Sequence, residues 1–342
     1  MTPTRASGAP GIDLAARPTF TAVVCCYTEV RWEQLCAAVT SLETQSVPPS
    51  QIIVVCDHNP SLLDRCRLRW QSSELVTVLE NRFPGRLGSA RNTAVSVLSG
   101  DVVAFLDDDA VAPADWLAQL ADIYAREPGT QAVGTAPQPL FDTPRPAWFP
   151  LEFDWVFGCV YRGLPVARAQ TGRLIGAAMS ARRSAILAVN GFHSDNHDDM
   201  DLSHRLLAHF GAESVVFEPT ITVDHHVTAE RVSFGYFWRR CLSVNRGKVL
   251  AVHDMGEAGN NDADLAFVWR AITHALPEYL ASPSTGGWRR AGALVLGIAC
   301  AAIGNLAGRV ELALGRTEPS LTRGLAGDRS AEHVDATPVA AH

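Results

Sequence analysis

Four short, almost wholly apolar runs separated by stretches of helical spacing constrain this chain more than any other feature. They are Phe20–Cys26 (FTAVVCC), Gln51–Asp57 (QIIVVCD), residues 75–79 (LVTVL) and residues 101–106 (DVVAFL). A strand with one wet face alternates apolar and polar residues, whereas a run without alternation is buried on both faces. Between the runs, residues 31–44 carry Trp32, Leu35, Cys36, Val39 and Leu42 at a helical period, and Pro48-Pro49 stops them. Further helices are expected at 61–71, 88–98 and 114–126. Strands covered on both faces by helices define an α/β fold around a parallel sheet. Ligands of such sheets bind beyond the carboxyl ends of the strands. Asp57 and the run Asp107, Asp108 and Asp109 stand at two of those ends.

The second half reads differently. Residues 144–165 are aromatic and loop-like, a strand is expected at 174–180, a helix at 200–210, a strand at 214–218 and a long helix at 233–253. Residues 291–308 form an uncharged stretch of 18 between Arg289-Arg290 and Arg309. As a helix it is about 27 Å long, at the lower edge for crossing a bilayer. Its alanines, glycines and Asn305 favour a buried or partner-packing helix, with a membrane-surface helix or a marginal span as the alternatives. Residues 1–17 read as a flexible lead without a signal-peptide core, and 317–342 as a disordered tail.

Composition removes several chemistries. Of 29 cationic side chains, Lys248 alone is a lysine. The P-loop pattern is absent, and Schiff-base chemistry would have to use Lys248. A net charge of −7 speaks against sequence-independent nucleic-acid binding. Eight scattered cysteines without a C-x-x-C pair fit reduced, mostly buried thiols in a cytoplasmic protein better than disulfides or zinc.

Several clusters carry chemistry. Three carboxylates closing an apolar strand repel one another unless a cation or solvent screens them, and hard oxygen ligands suit Mg2+ or Mn2+. Asp107 and Asp109 point to the same side of an extended segment. The alternative is a solvated, helix-capping loop. Gly85–Asn92 (GRLGSARN) offers free N–H groups at a helix start and an arginine fork for phosphate, or a plain glycine turn. The 195–201 stretch (DNHDDMD) contains a candidate general base, or ordinary helix-capping aspartates. His225 could complete a carboxylate metal site, or be an ordinary histidine. Trp148 and Trp155 could stack on a sugar or lipid chain, although aromatic residues more often pack a core.

These residues, in this order, resemble the inverting family 2 nucleotide-sugar glycosyltransferases of GT-A fold. The likeness runs from about Thr19 to Lys248. It comprises the polar loop Tyr27-Thr28-Glu29, Ser41-Leu42-Glu43-Thr44-Gln45, Asp57, Ala90-Arg91-Asn92, the D-x-D-type Asp107–Asp109, the Arg182-Arg183 turn, Asn190-Gly191-Phe192 and Asp198-Asp199-Met200-Asp201-Leu202. Two departures stand out. Asp198 replaces a glutamate, leaving Asp198 and Asp199 both as candidates for the base, and Asn190 replaces a glycine, which implies a local backbone change. The Q-x-x-R-W element of processive relatives is absent. His225-His226 through Arg231, Gly247-Lys248 and Trp148-Phe149-Pro150 also resemble a subgroup acting on polyprenyl-linked glycans.

The resemblance implies a Rossmann-like mixed sheet over residues 18–255, with a nucleotide-sugar half at 18–136 and an acceptor half at 137–255, and a helical C-terminal region at 256–316. It implies Tyr27, Glu29, Asp57, Arg91, Asp107 and Asp108 on the donor. Asp109, Asp107 and His225 would hold Mn2+ or Mg2+, with Asp199 or Asp198 as base. Trp148, Trp155, Arg231 and Lys248 would lie on the acceptor or a phosphate. The expected activity is transfer of one sugar from a nucleoside-diphosphate donor, UDP-linked, to a glycolipid or polyprenyl-linked acceptor. The expected location is cytoplasmic and peripheral on the inner face of the cell membrane, with 291–308 as membrane contact. The rivals are a nucleotidyltransferase and a non-catalytic sugar- or lipid-binding homologue.

Overall fold

The structure, a computed structural model, describes residues 17–195, 197–256, 262–282, 286–317 and 320–327. The expected lead, apart from Arg17, lies outside these residues. The four apolar runs become β1 (Phe20–Cys26), β2 (Gln51–Asp57), β3 (Val76–Asn81) and β4 (Val102–Asp107), paired in parallel in the order β3-β2-β1-β4. Their helices are α1 (Trp32–Glu43), α2 (Pro60–Arg69), α3 (Leu87–Val97) and α4 (Trp116–Arg126). Apolar residues of β1, β2 and β4 feed two separate cores, one on each face, as unalternated strands must.

Beyond β4 the sheet turns mixed. After the two-residue β5 (Ala110–Val111) come β6 (Ala132–Phe141), the short β7 (Ala169–Gln170), β8 (Ala178–Arg182) and β9 (Val215–Val227). β8 is antiparallel to β4 and β6, β6 and β9 run parallel, and β5 and β7 each pair antiparallel with β9. Helices α5 (Arg183–Ala188) and α6 (Asp198–Phe210) separate β8 from β9. The pairing of β5 places the site: Ala110 sits opposite His225, and the His226 amide donates to the Asp109 carbonyl at 2.8 Å. The acidic end of β4 is thereby fastened to the end of β9, more than a hundred residues later.

The long helix α7 (Phe234–Met255) is followed by α8 (Asp262–Arg270), a π-helical stretch at 271–275, α9 (Leu276–Ala281) and α10 (Gly287–Ala313). They enclose a third core of phenylalanines with the 3-10 turn Leu151–Phe157. Here two expectations change. Trp148, expected near the acceptor, packs against Phe149, Phe234 and Phe237 with centroids 5.3–5.5 Å apart, and so completes this core. Residues 320–327, expected in a disordered tail, are ordered: Thr322 and Leu321 donate to the Asp195 carboxylate, and Leu325 is buried in the second core. The rest of the expected tail, apart from Thr317, lies outside the described residues.

Candidate active site

The carboxyl ends of β1, β2 and β4 share one row, since Cys25 is level with Asp107 and Asp57 with Asn81. Above them opens a cleft of about 1680 Å³, larger than the several hundred Å³ of a one-ligand pocket. Tyr27, Arg91, Asp107, Asp109, Trp155, Asp198, Asp199, His225, Arg231 and Lys248 all line it. Ten of the expected site residues, drawn from both halves of the chain, therefore meet in one place.

On the donor side, an oxygen of Asp107, an oxygen of Asp109 and a ring nitrogen of His225 lie within 4.8 Å of one another. His225 Nε2 is 2.9 Å from Asp109 Oδ1, and its Nδ1 is 3.3 Å from Cys159 Sγ. Arg31 reaches Asp108 at 2.8 Å and Asp109 at 3.2 Å, and Arg231 also reaches Asp109 at 3.2 Å. Burial opposes ionisation of Asp109, but the His225 bond and these charges outweigh it and hold the carboxyl well below its usual range. Burial likewise lowers His225, yet the Asp109 bond raises it to about 10.

Asp108, expected on the donor, is turned inward. It is absent from the cleft lining and 3% exposed; one oxygen meets Arg31 and the other has no partner. Burial pushes it up to about 7 despite that arginine. It anchors Arg31 from the turn between β4 and β5, while Asp107 and Asp109 on either side face the cleft.

Arg91 lies at the centre. It is 2% exposed and donates to Asp198 at 2.5 Å, to Asp107 at 3.2 Å and to the Gly176 carbonyl at 2.9 Å. This fork joins the two acidic motifs and braces them against each other at the cleft wall. It also separates the two base candidates. Asp198 is tied to Arg91, and its burial lifts it to about 6. Asp199 is held lower: burial opposes, but Arg173 at 3.7 Å, His197 and Arg91 prevail. Its carboxylate accepts from the Gly176 and Met200 amides, at 3.2 and 2.8 Å, which aim it along the cleft.

At the cleft margin, Asp57 accepts from Asn81 at 2.6 Å, and Glu29 is exposed on the turn after β1. Asn92, beside Arg91, exchanges two 2.9 Å bonds with the Phe192 backbone and so pins the Asn190-Gly191-Phe192 turn. Asn190 has φ 59°, a left-handed conformation that glycine adopts freely and asparagine tolerates.

Arg31, Arg173 and His197 were not expected at the site. Arg31 shares its turn with Glu29 and stacks on Tyr27, with its guanidinium carbon 5.6 Å from the ring centroid. Nothing in the composition separates these arginines from the other 26. His197 has φ 60°, packs 3.3 Å from where a Gly247 Cβ would stand, and is pushed down to about 3 by burial and by Arg173, Lys248 and Arg240. Lys248 pairs with Asp264, and burial followed by Arg173 lowers it.

Fold and site together define the class of this protein, a glycosyltransferase of GT-A fold. More particularly, residues 21–187 match the family model described as Glycosyl transferase family 2. Glucosyl-dolichyl phosphate glucuronosyltransferase of Haloferax volcanii is 29% identical over 231 residues, which span 64% of this chain and 74% of that protein. Among solved structures, the mannosyltransferase PcManGT of Pyrobaculum calidifontis, in complex with GDP-Man and Mn2+, superposes with a TM-score of 0.54 at 21% identity, covering 88% of this chain and 80% of that one. TarS 1-349 of S. aureus, in complex with UDP-GlcNAc, gives a TM-score of 0.50 at 13% identity over 87% and 92% of the two chains. These likenesses concern the fold.

Proposed function

We propose that this glycosyltransferase moves one sugar, with inversion, from a nucleoside-diphosphate sugar to a hydroxyl of a polyprenyl-linked glycan. The observation that carries the reading is the difference between Asp198 and Asp199, which both line the cleft: Arg91 binds the first, while the second is a low-lying carboxylate oriented by the Gly176 and Met200 amides. Asp199 is positioned to take the acceptor hydroxyl's proton as the oxygen attacks the anomeric carbon from the face opposite the diphosphate. The roomy cleft accommodates both substrates and so supports positioning as a large part of the acceleration.

The donor set fits a divalent cation. Two carboxylates and one imidazole suit Mn2+ more than Mg2+, which prefers oxygen alone. When bound, the cation would neutralise charge growing on the departing diphosphate. Asp107, Asp109 and His225 would hold it, while Arg31 and Arg231, already beside Asp109, would turn to the phosphate oxygens. We take the nucleotide to be uridine on the family resemblance, with Asp57 and Tyr27 on the base side.

For the acceptor, Arg173, Arg240 and Lys248 surround His197 next to Asp199 and suit a phosphate linked to the attacking sugar. Trp155, Phe267, Val268, Ile298 and Ala301 add an apolar flank to the same cleft. The Haloferax relative is named for a glucosyl-dolichyl phosphate acceptor, which supports this choice. Arg239-Arg240 is followed by Cys241 in place of tryptophan, which supports single addition. Such an acceptor supports a location at a membrane, which we take to be the inner face of the cell membrane.

The test is nucleotide release from a panel of donors, with lipid-linked acceptor, with and without EDTA. Release of UDP that EDTA abolishes is expected. EDTA-resistant turnover would overturn the metal assignment, and release of pyrophosphate from a sugar phosphate and a nucleotide would revive the nucleotidyltransferase. Donor binding without turnover would support the non-catalytic homologue.

A further inference from the structure

Away from the acidic cleft, three cysteines converge inside the first core. Cys26 ends β1, Cys56 is its direct partner on β2, and Cys66 comes up from α2; each is 0–1% exposed. Their sulfurs lie within 4.8 Å of one another, and Cys26 Sγ is 3.6 Å from Cys56 Sγ. All three thiols are free. Three sulfurs at roughly 2.3 Å from a common ion stand about 4 Å apart in a trigonal plane, so this spacing needs little adjustment.

We propose that Cys26, Cys56 and Cys66 form a three-thiolate site for a soft monovalent ion, Cu(I) by its chemistry. Thiolates select soft ions, whereas zinc requires a fourth ligand, and among the described residues no fourth His, Cys, Asp or Glu joins this group. Loading converts three S–H groups to thiolates and releases three protons, leaving a complex of charge −2. Buried negative charge needs compensation, and α2 supplies it in the run Arg65-Cys66-Arg67-Leu68-Arg69. The charge of Arg65 reaches Cys66, and that of Arg67 reaches Cys56. Arg65 is held in place by stacking on Trp32, 4.0 Å from its ring centroid. Cys36 on α1 is only partly buried, and the charges of Arg69 and of Cys66 both reach it. The site sits directly beneath the donor side, because Tyr27 and Asp57 follow Cys26 and Cys56 in sequence.

The experiment is anaerobic titration of the reduced, full-length protein with chelator-buffered Cu(I), read by ultraviolet thiolate-to-copper absorption and by copper X-ray absorption. One equivalent resisting the chelator, with three sulfur neighbours, is expected. Cys66→Ala should weaken binding at least tenfold, while Cys241→Ala and Cys300→Ala should leave it unchanged. Wild-type protein that surrenders its copper to the chelator, or copper with fewer than three sulfurs, overturns the proposal whatever the variants do. Displacement by equimolar zinc would also overturn the three-coordinate assignment.

Discussion

At the scale of single residues, the site turns on which of two adjacent aspartates Arg91 binds. Asp199→Asn keeps the shape and removes the base, so kcat should fall about 10²–10⁴-fold with donor affinity unchanged. Asp198→Asn should instead release Arg91, a buried charge that then lacks one of its partners, and should cost about 3 kcal/mol or more of stability. Unaltered kcat in the first variant, or full stability in the second, measured by nucleotide release and urea unfolding, would reverse the assignment. His197 adds a pH prediction. Its imidazole takes a proton near pH 6.5 when unfolded, but only near 3 when folded. Between those values the unfolded chain binds more protons, so acidification destabilises the fold, by at most about 1.4 kcal/mol per pH unit from this group. His197→Asn, which tolerates the left-handed backbone, should flatten the stability profile between pH 6 and 4 relative to wild type.

At the scale of elements, the parallel half was readable because double burial leaves an unalternated apolar run. β6 was not expected at all: Pro137, Pro139 and Gly134 within AVGTAPQPLF look like loop residues. β9 was expected to stop at Glu218, yet it continues through Pro219, because the β6–β9 register shifts between Gly134 and Ala136 and absorbs the irregularity. Tertiary pairing overrode local propensity, and the pairing of β9 with β5 carried His225 to Asp109. The roles of Asp198 and Arg91 were hidden for a similar reason, since neighbours in sequence differ only in what each meets in space. The small residues of 291–308 pointed to a packing helix but not to α7 as what it packs on, and that contact matters for stability. A Cβ on Gly304 would stand 2.2 Å from the Leu242 carbonyl, and one on Gly308 would stand 2.7 Å from that of Arg246. Gly304→Leu should force the helices apart and cost about 1–3 kcal/mol in thermal or urea unfolding. Gly292→Ala, with nothing within 4 Å, should be neutral or stabilise by up to about 1 kcal/mol.

For the whole molecule, the question is how a chain of net charge −7 would reach a lipid-borne acceptor. Helix α10 is long and apolar enough to cross a bilayer, but one face is committed to α7, so a peripheral mode fits it better than a span. Its other face leaves Trp288, Val295, Ile303, Leu306 and Val310 exposed, while α7 and α8 present Trp238, Leu265 and Trp269. Trp269 and Trp288 are 69% and 65% exposed, a costly arrangement in water but a favourable one at a membrane interface. Arg239, Arg289 and Arg309 on the same helices supply local positive charge that the net charge conceals. Deleting 291–308 would also remove Gly304 and Gly308 from the α7 contact, so surface substitution is the cleaner probe. Trp269→Ser with Trp288→Ser should lower partition onto vesicles containing anionic lipid by about tenfold or more, each indole contributing on the order of 1–2 kcal/mol. Turnover on a short-chain, water-soluble acceptor should be unchanged, since neither tryptophan lines the cleft. Added salt should weaken the wild-type protein's vesicle binding without abolishing it, because screening removes the arginine contribution and leaves the apolar one. Vesicle binding that survives the double substitution would place the membrane contact on another face of the molecule.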